Sequence, residues 1–472
     1  MHELYTVTLT CSSSLSKGEM TLSEDILNRL KFIKGEEFTL RAGSSSVTVR
    51  LSGGSFSAAL NKGHDPVLCI SAETGQRLML PAPLTINMAV EKKQKVIRLG
   101  PLIGILANRY ENSGRPFGEQ TSFFRKLRRE AQTLHGFCYA FSPWDIRWEN
   151  NTVRGSVPPL PDDKTTGWQT RVLPMPDVVY DRGLFPKGEK RQAATETRKI
   201  LRRHPVIKIF NPAFFGKWKT HKLLAKHEDL YHHLPETKLV SSMSDIQAML
   251  KRHAAIYLKP SGGSSGKGII CITSGTAGRT LRYRKAGKII TEKITGPGQL
   301  ETTLRSLIGG RRYIVQQGLD LAGIDGSPFD IRVLMQKNLH GSWKLTGMAA
   351  RVAAGGSFLS NIHAGGRAEQ ISSIIIRVFP QETQAQKVIG DIRRLSSLAV
   401  AFVSTEMNPL FGEIAVDLGI DKSGKVWFIE LNAVPGRSVF RRIKALNALS
   451  RAISRPMEYA CYLSGFGPGQ GK

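Results

Sequence analysis

The side chains best suited to chemistry cluster toward the C-terminal end of the sequence. Gly412 to Asp421 and Val426 to Asn432 read as two short apolar strands joined by the turn Asp421-Lys422-Ser423-Gly424-Lys425. Such a hairpin places Asp417 on one strand and Glu430 and Asn432 on the other. Residues two apart on a strand share a face, so Glu430 and Asn432 point the same way and Asp417 can lie opposite. Three oxygen ligands on one face suit Mg2+ (or Mn2+), a hard cation whose shell phosphate oxygens would complete. The competing reading is a hairpin with solvent-facing polar residues. Against it, Trp427-Phe428-Ile429 and Leu431 around Glu430 predict a buried strand, where an unpaired carboxylate is costly.

Upstream, Ala255 to Lys259 is an apolar strand that ends in Lys259-Pro260. It runs through Ser261-Gly262-Gly263-Ser264-Ser265-Gly266-Lys267-Gly268 and resumes at Ile269. Strand, loop and strand exclude a Walker loop, which needs GxxxxGK[ST] before a helix. The chemistry still fits phosphate. Gly262, Gly263 and Gly266 let backbone N–H groups approach oxygens, Ser264 and Ser265 add donors, and Lys259 supplies a point charge.

Two further segments are ambiguous alone. Arg311 to Asp320 reads as a strand with a polar break, followed by a strand carrying Asp330 and Arg332 on one face. The backbone of the linking stretch Gln316-Gln317-Gly318-Leu319 could read an adenine, Asp330 could accept from ribose hydroxyls, and Arg332 could face phosphate. An ordinary strand pair with an Asp–Arg contact is the plainer alternative. Arg351 lies in a later strand, before the loop Ser360-Asn361-Ile362-His363-Ala364-Gly365-Gly366. Asn361 and His363 could touch substrate, with His363 as a base, or serve only as hydrogen-bonding loop residues.

These residues need a frame. Residues 1–95 read as a β-rich domain. Leu4–Thr10, Phe38–Leu40 and Val47–Leu51 alternate at period two, Ser23 caps a short helix, and a compact barrel is expected. Residues 96–205 read as a small α/β domain. Its strands would be Ile97–Leu106, Phe137–Phe141 and Pro176–Arg182, with a helix over Phe117–Leu134 and a proline-rich loop over Pro158–Pro176. Residues 206–465 form the third unit, with a lid subdomain over about 236–315. The expected class is α/β, of α+β type in the last unit.

Composition narrows the function. Lys plus Arg is 67 against 38 Asp plus Glu, a net charge of +29. That balance favours polyanions or anionic ligands. The excess concentrates in Arg279–Arg312 and Arg437–Arg455. No zinc finger, RNP motif or long basic helix accompanies it, so specific nucleic-acid binding is not expected. No apolar run reaches the 18–20 residues of a membrane span. The five scattered cysteines and the absence of a signal-peptide pattern suggest a cytoplasmic protein.

Taken in order, the motifs resemble the ATP-grasp superfamily, which implies an α+β fold closing on Mg-ATP. The resemblance implies phosphate roles for Lys217 and Lys259, with the Gly262–Gly268 hairpin as lid. It implies an adenine hinge at Gln316–Leu319, phosphoryl-stabilising roles for Arg332 and Arg351, and a metal set of Asp417, Glu430 and Asn432. Lys217 opens Lys217-Trp218-Lys219-Thr220-His221-Lys222-Leu223-Leu224, similar to the family's first ATP-domain helix, with Gly216 where an Asp is usual. Ser360 to Gly366 is similar to a segment of the ribosomal-protein glutamate-ligase branch, with Leu359 where that branch carries Arg.

Closer still, Gly118–Phe124, Pro176–Arg182, Ile209–Pro212 and Asn432–Arg437 resemble the endospore coat-associated ATP-grasp proteins of the YheC/YheD family. That resemblance implies a ligase joining a carboxylate to an amine or thiol through an acylphosphate, and coat components as partners. An anionic small molecule or peptide would suit the basic balance as substrate. The alternatives are a coat-associated binding protein with the same fold and little turnover, or a kinase of that fold.

Overall fold

The computed structural model describes residues 3–52, 66–110, 114–158, 167–212, 215–262, 268–276, 278–354 and 366–468. Four sheets follow one another along the chain. The first is a closed barrel, with strands in the order Glu3–Ser12, Val67–Ser71, Glu19–Leu22, Ser45–Leu51, Glu37–Ala42, Val96–Gly100 and Leu84–Glu91. The period-two pattern of Ser45–Leu51 sends Val47, Val49 and Leu51 inward. Ser23 precedes the helix Glu24–Leu30, but its hydroxyl accepts from Val67 N–H (3.2 Å) rather than from the helix.

The second sheet contains the parallel strands Phe137–Phe141, Leu102–Leu106, Val178–Asp181 and Lys208–Phe210, in that order. The stretch expected as one strand over Ile97–Leu106 divides at Pro101, which has no N–H to donate. Its first half closes the barrel and its second half enters this sheet. Part of the expected Pro158–Pro176 loop is a strand, Gln169–Pro174, pairing with Thr152–Val157. One face of the sheet shares a core with the barrel. The other packs on helix Thr121–Thr133 and on Met457, Tyr459 and Ala460 of the helix Leu446–Ser464.

The third sheet, formed by the stretch expected as a lid and called the lid sheet below, is antiparallel. Its order is Thr237–Leu239, Tyr313–Gln317, Ala255–Pro260, Ile270–Gly275, Gly278–Lys285 and Lys288–Ile294. Helices Met243–Arg252 and Pro297–Ile308 cover one of its faces. The fourth sheet runs Arg367–Glu369, Trp343–Val352, Ser327–Lys337, Glu413–Ile420 and Val426–Asn432, backed by helix Glu382–Glu406. Mixed helices and sheets of this kind make the fold α+β in the unit that carries the site.

Candidate functional site

The hairpin forms as its sequence predicts. Register pairs Asp417 with Glu430 and Ala415 with Asn432, and a bulge follows between Asp417 and Leu418. Asn432 Nδ2 donates to Asp417 Oδ2 at 3.2 Å. The neighbouring strand sets Arg332 directly across from Asp417. Arg332 donates through Nε and Nη2 to both carboxylate oxygens, the latter at 2.8 Å. One strand further, Arg351 lies across from Asp330. Its Nε reaches Asp330 Oδ1 at 2.5 Å and its Nη2 reaches Asp417 Oδ2 at 3.0 Å. Burial alone would push the Asp417 carboxyl up, but Arg332 and Arg351 outweigh it and hold the group below the usual carboxylate range. Asp330, expected at a ribose, lies inside this ion cluster instead.

Glu430 is not sealed in a core. It faces a cleft, half-buried, and accepts from Lys217 Nζ at 3.2 Å. Lys217 is the first residue of the helix Lys217–Leu224, whose start is tied to the lid by Lys217 N–H donating to Ser261 O (3.1 Å). Across the cleft, Lys259 Nζ donates to Gln316 Oε1 at 2.5 Å, and Gln316 Nε2 to Thr237 Oγ1 at 2.9 Å. Burial first and repulsion from Lys217 second, against the opposing pull of Glu430, lower the Lys259 ammonium to a pKa of about 8. Lys217 touches Glu430 and Lys259 feels it through space, and two ammonium groups gathered at one cleft favour an incoming anion.

The cleft is partly open to solvent. Lys217, Lys259, Gln316 and Glu430 form its polar end, while Leu224, Leu234 and Phe428 give it apolar walls. Thr220 also lines it, and its hydroxyl is buried with no hydrogen-bond partner among the described residues. An orphaned hydroxyl is costly in a closed core and suits a cleft that receives a polar ligand. Thr220 follows Lys217 by three residues, so the two share a helix face. That spacing was the sequence signal for Thr220. Leu234 and Phe428 carried no comparable signal.

The remaining candidates scatter. Gln317 and Gly318 use their N–H groups on Glu236 O and Ala255 O, both at 2.8 Å, and Leu319 follows at the end of this lid strand. Gly262 closes the described part of the Gly-rich loop. Gly263, Ser264, Ser265 and Gly266 lie outside the described residues, as do Asn361 and His363. The basic run Arg437–Arg455 is in part internal. Arg437 binds Glu413 (2.6 Å) and Ala452 O, and Arg455 binds Thr346. Glu413 is fully buried and also accepts from Tyr180 (2.5 Å), Arg182 (2.9 Å) and Gln336 (2.9 Å). Asn211 clamps the same strand start, bonding the backbone at Gly412, Glu413 and Ala433. Tyr180, Arg182, Asn211 and Arg437 lie in segments that carried the family resemblance, but their meeting around Glu413 was not legible.

As a metal set, Asp417, Glu430 and Asn432 offer two carboxylates and one amide oxygen. Among the described residues no three of His, Cys, Asp and Glu gather. The donors fit a hard cation that takes its other ligands from phosphate and water.

A lysine-rich cleft between an antiparallel lid and an Asp/Glu/Asn hairpin defines an ATP-grasp protein, and the sequence matches the YheC/D-like ATP-grasp family over residues 206–463. The chain belongs to that family. It is 29% identical to the endospore coat-associated protein YheD of Bacillus subtilis (strain 168) over 402 residues, covering 85% of this chain and 86% of that protein. It is 26% identical to the endospore coat-associated protein YheC of the same organism, over 64% of this chain and 82% of that one. Glutathione synthetase of Prochlorococcus marinus (strain MIT 9313) is 22% identical over 52% of this chain and 70% of its own length. Use of ATP follows from the family. No helix among the described residues is long and apolar enough to cross a membrane.

Proposed function

We propose that this protein is an ATP-dependent ligase that activates a carboxylate as an acylphosphate and passes the acyl group to an amine or thiol. The supporting observation is the convergence of Lys217, Lys259 and Glu430 on one cleft beside the Asp417 cluster. In this reading Lys217 and Lys259 hold the ATP phosphates, Thr220 donates to the nucleotide, and Leu234 and Phe428 flank the base near Gln316–Leu319. Asp417, Glu430 and Asn432 hold Mg2+ (or Mn2+), which when bound neutralises phosphate charge. Arg332 and Arg351 turn from Asp417 toward the phosphoryl group as it transfers. The substrate carboxylate oxygen bonds to the γ-phosphorus while the bond to the bridging oxygen breaks and ADP leaves. The nucleophile then bonds to the acyl carbon, phosphate departs, and the nucleophile's proton is released to solvent. Positioning and charge neutralisation are the protein's contribution. Asn361 and His363 are proposed at the acceptor side.

The coat association of YheD and YheC supports a setting in the spore envelope, with coat components as partners. The pairing of Asp417 with two arginines favours a second reading, a nucleotide binder in that setting that turns over little. Thermal unfolding with and without Mg-ATP tests the site, on wild type and on Lys259→Met/Glu430→Ala. Ligand at 100 times its Kd stabilises by about 2.7 kcal/mol, a shift of a few degrees. A shift lost in the double variant supports the nucleotide site, and no shift in wild type refutes it. Hydroxylamine trapping of an acyl group with candidate acids then separates the ligase from the binder and from a kinase.

A further inference from the structure

The lid sheet has two faces, and its helices cover only one of them. The other face carries Lys259 and Gln316. Register extends it outward as a cross-strand row: Gln316 beside Tyr257, Tyr257 beside Cys271, Cys271 beside Arg282, and Arg282 beside Thr291. At about 4.8 Å per strand, Arg282 stands three strands, or about 14 Å, from Gln316. Arg284 shares its face two residues on, and the adjacent row ends in Thr280 and Lys293. Exposure rises along the way, from buried Cys271 through half-buried Arg282 to exposed Arg284, Thr291 and Lys293.

The hairpin that ends this face, Gly278–Ile294, carries Arg279, Arg282, Arg284, Lys285, Lys288 and Lys293 against a single acid, Glu292. That acid is engaged by the Tyr283 hydroxyl at 2.5 Å. Among the described residues, Arg284 and Lys293 pair with no carboxylate. Among the described residues, the outermost strand, Lys288–Ile294, has a neighbour on one side only. Its outer backbone groups can therefore receive an extended chain.

We propose that this uncovered lid face docks an extended, carboxylate-rich peptide, the acidic part of a polypeptide substrate whose reacting end enters the cleft; this rests on the nucleotide reading of the Lys217–Lys259 cleft. Charge complementarity selects an anion, and the open strand edge selects a peptide. A single strand that stacked its bases on this face would need exposed aromatic rings. On this sheet Tyr283 belongs to the helix-covered core, and Tyr257 is half-buried on the open face with Lys259 against it, the Nζ 5.6 Å from the ring centre.

The test is fluorescence anisotropy with the full chain and a labelled deca-glutamate, alongside deca-glutamine and a ten-nucleotide oligo(dT). Deca-glutamate is expected to bind, with affinity falling as salt rises. Arg284→Gln/Lys293→Gln should weaken it about tenfold, the scale of two lost exposed ion pairs, while the Mg-ATP unfolding shift stays unchanged. Equal binding by the variant overturns the proposal, as does equal binding of deca-glutamine. Tighter binding of oligo(dT) than of deca-glutamate also overturns it, in favour of a nucleic-acid surface. Peptide docking that depends on Arg284 and Lys293 without any Mg-ATP shift would leave the surface standing and remove the nucleotide reading.

Discussion

Removing Arg351 should let a divalent cation reach Asp417 without nucleotide. The Nη2 to Oδ2 separation of 3.0 Å gives a gross attraction of about 5.5 kcal/mol at an effective dielectric constant of 20. A cation at Asp417 must displace that contact and then sit beside a positive guanidinium. Desolvation cancels much of the gross figure. If only a quarter survives, about 1.4 kcal/mol remains, which is tenfold in affinity. The clean perturbation is Arg351→Met with Asp330→Asn, so that Asp330 is not left as a buried charge; Arg332 still pairs Asp417. The assay is the electron paramagnetic resonance signal of free Mn2+ during titration, with and without a non-hydrolysable ATP analogue. Wild type should bind Mn2+ weakly alone and much more tightly with the analogue, whose phosphates draw the arginines away. The double variant should bind Mn2+ alone at least tenfold more tightly than wild type does. Equal affinities without nucleotide in the two proteins, or a wild-type affinity indifferent to the analogue, would refute the reasoning.

Lys259, lowered to a pKa of about 8, is charged below that pH and neutral above it. ATP favours the charged form, so its affinity should fall by up to about tenfold per pH unit above 8, and Lys259→Arg should flatten the dependence in calorimetric titrations. Thr220→Val removes an orphaned buried hydroxyl. It should raise the unfolding transition of the free protein, by about 1–3 kcal/mol at most, while weakening ATP several-fold; a variant that changes neither would deny the hydroxyl a ligand role. Glu413→Gln leaves Arg182 and Arg437 facing a neutral amide. Urea unfolding should show a loss of about 3–5 kcal/mol, and a loss under 1 kcal/mol would mean the network adds little.

The hairpin was legible because its chemistry coincides with its periodicity. Two strands around a turn bring Asp417, Glu430 and Asn432 together by register alone. Lys259 was legible for a similar reason, as a charge at the end of an apolar strand before a glycine-rich loop. The ion cluster was not, because Arg351 meets Asp417 across an intervening strand, and strand order cannot be read from any one segment. Asp330 shows the consequence. Its spacing to Arg332 was visible, but its actual partner, Arg351, lies on the next strand. The charge runs divided in the same way. Arg437 reads like Arg284 in sequence, yet one is buried against Glu413 and the other exposed on the lid. In the barrel, period-two alternation marked strands such as Ser45–Leu51 but missed Glu19–Leu22, Val67–Ser71 and Leu84–Glu91, whose burial does not alternate, while Pro101 decided where the barrel ends and the next sheet begins.

The helix Leu446–Ser464 packs Met457, Tyr459 and Ala460 into the core of the second sheet, beside Ile103, Ile105, Tyr180 and Phe210. Arg98, on the last barrel strand, also donates to Ser464 O at 2.5 Å. A segment made late in synthesis therefore completes a core whose strands emerge from the ribosome much earlier. On the order of 240 residues separate the two, about 10–50 s of elongation at 5–20 residues per second. During that interval one face of the parallel sheet has helix Thr121–Thr133 against it but lacks the rest of its cover. The nascent chain would be a client for holding chaperones, and a release that cut translation short before Leu446 would yield a sticky product rather than a smaller stable protein.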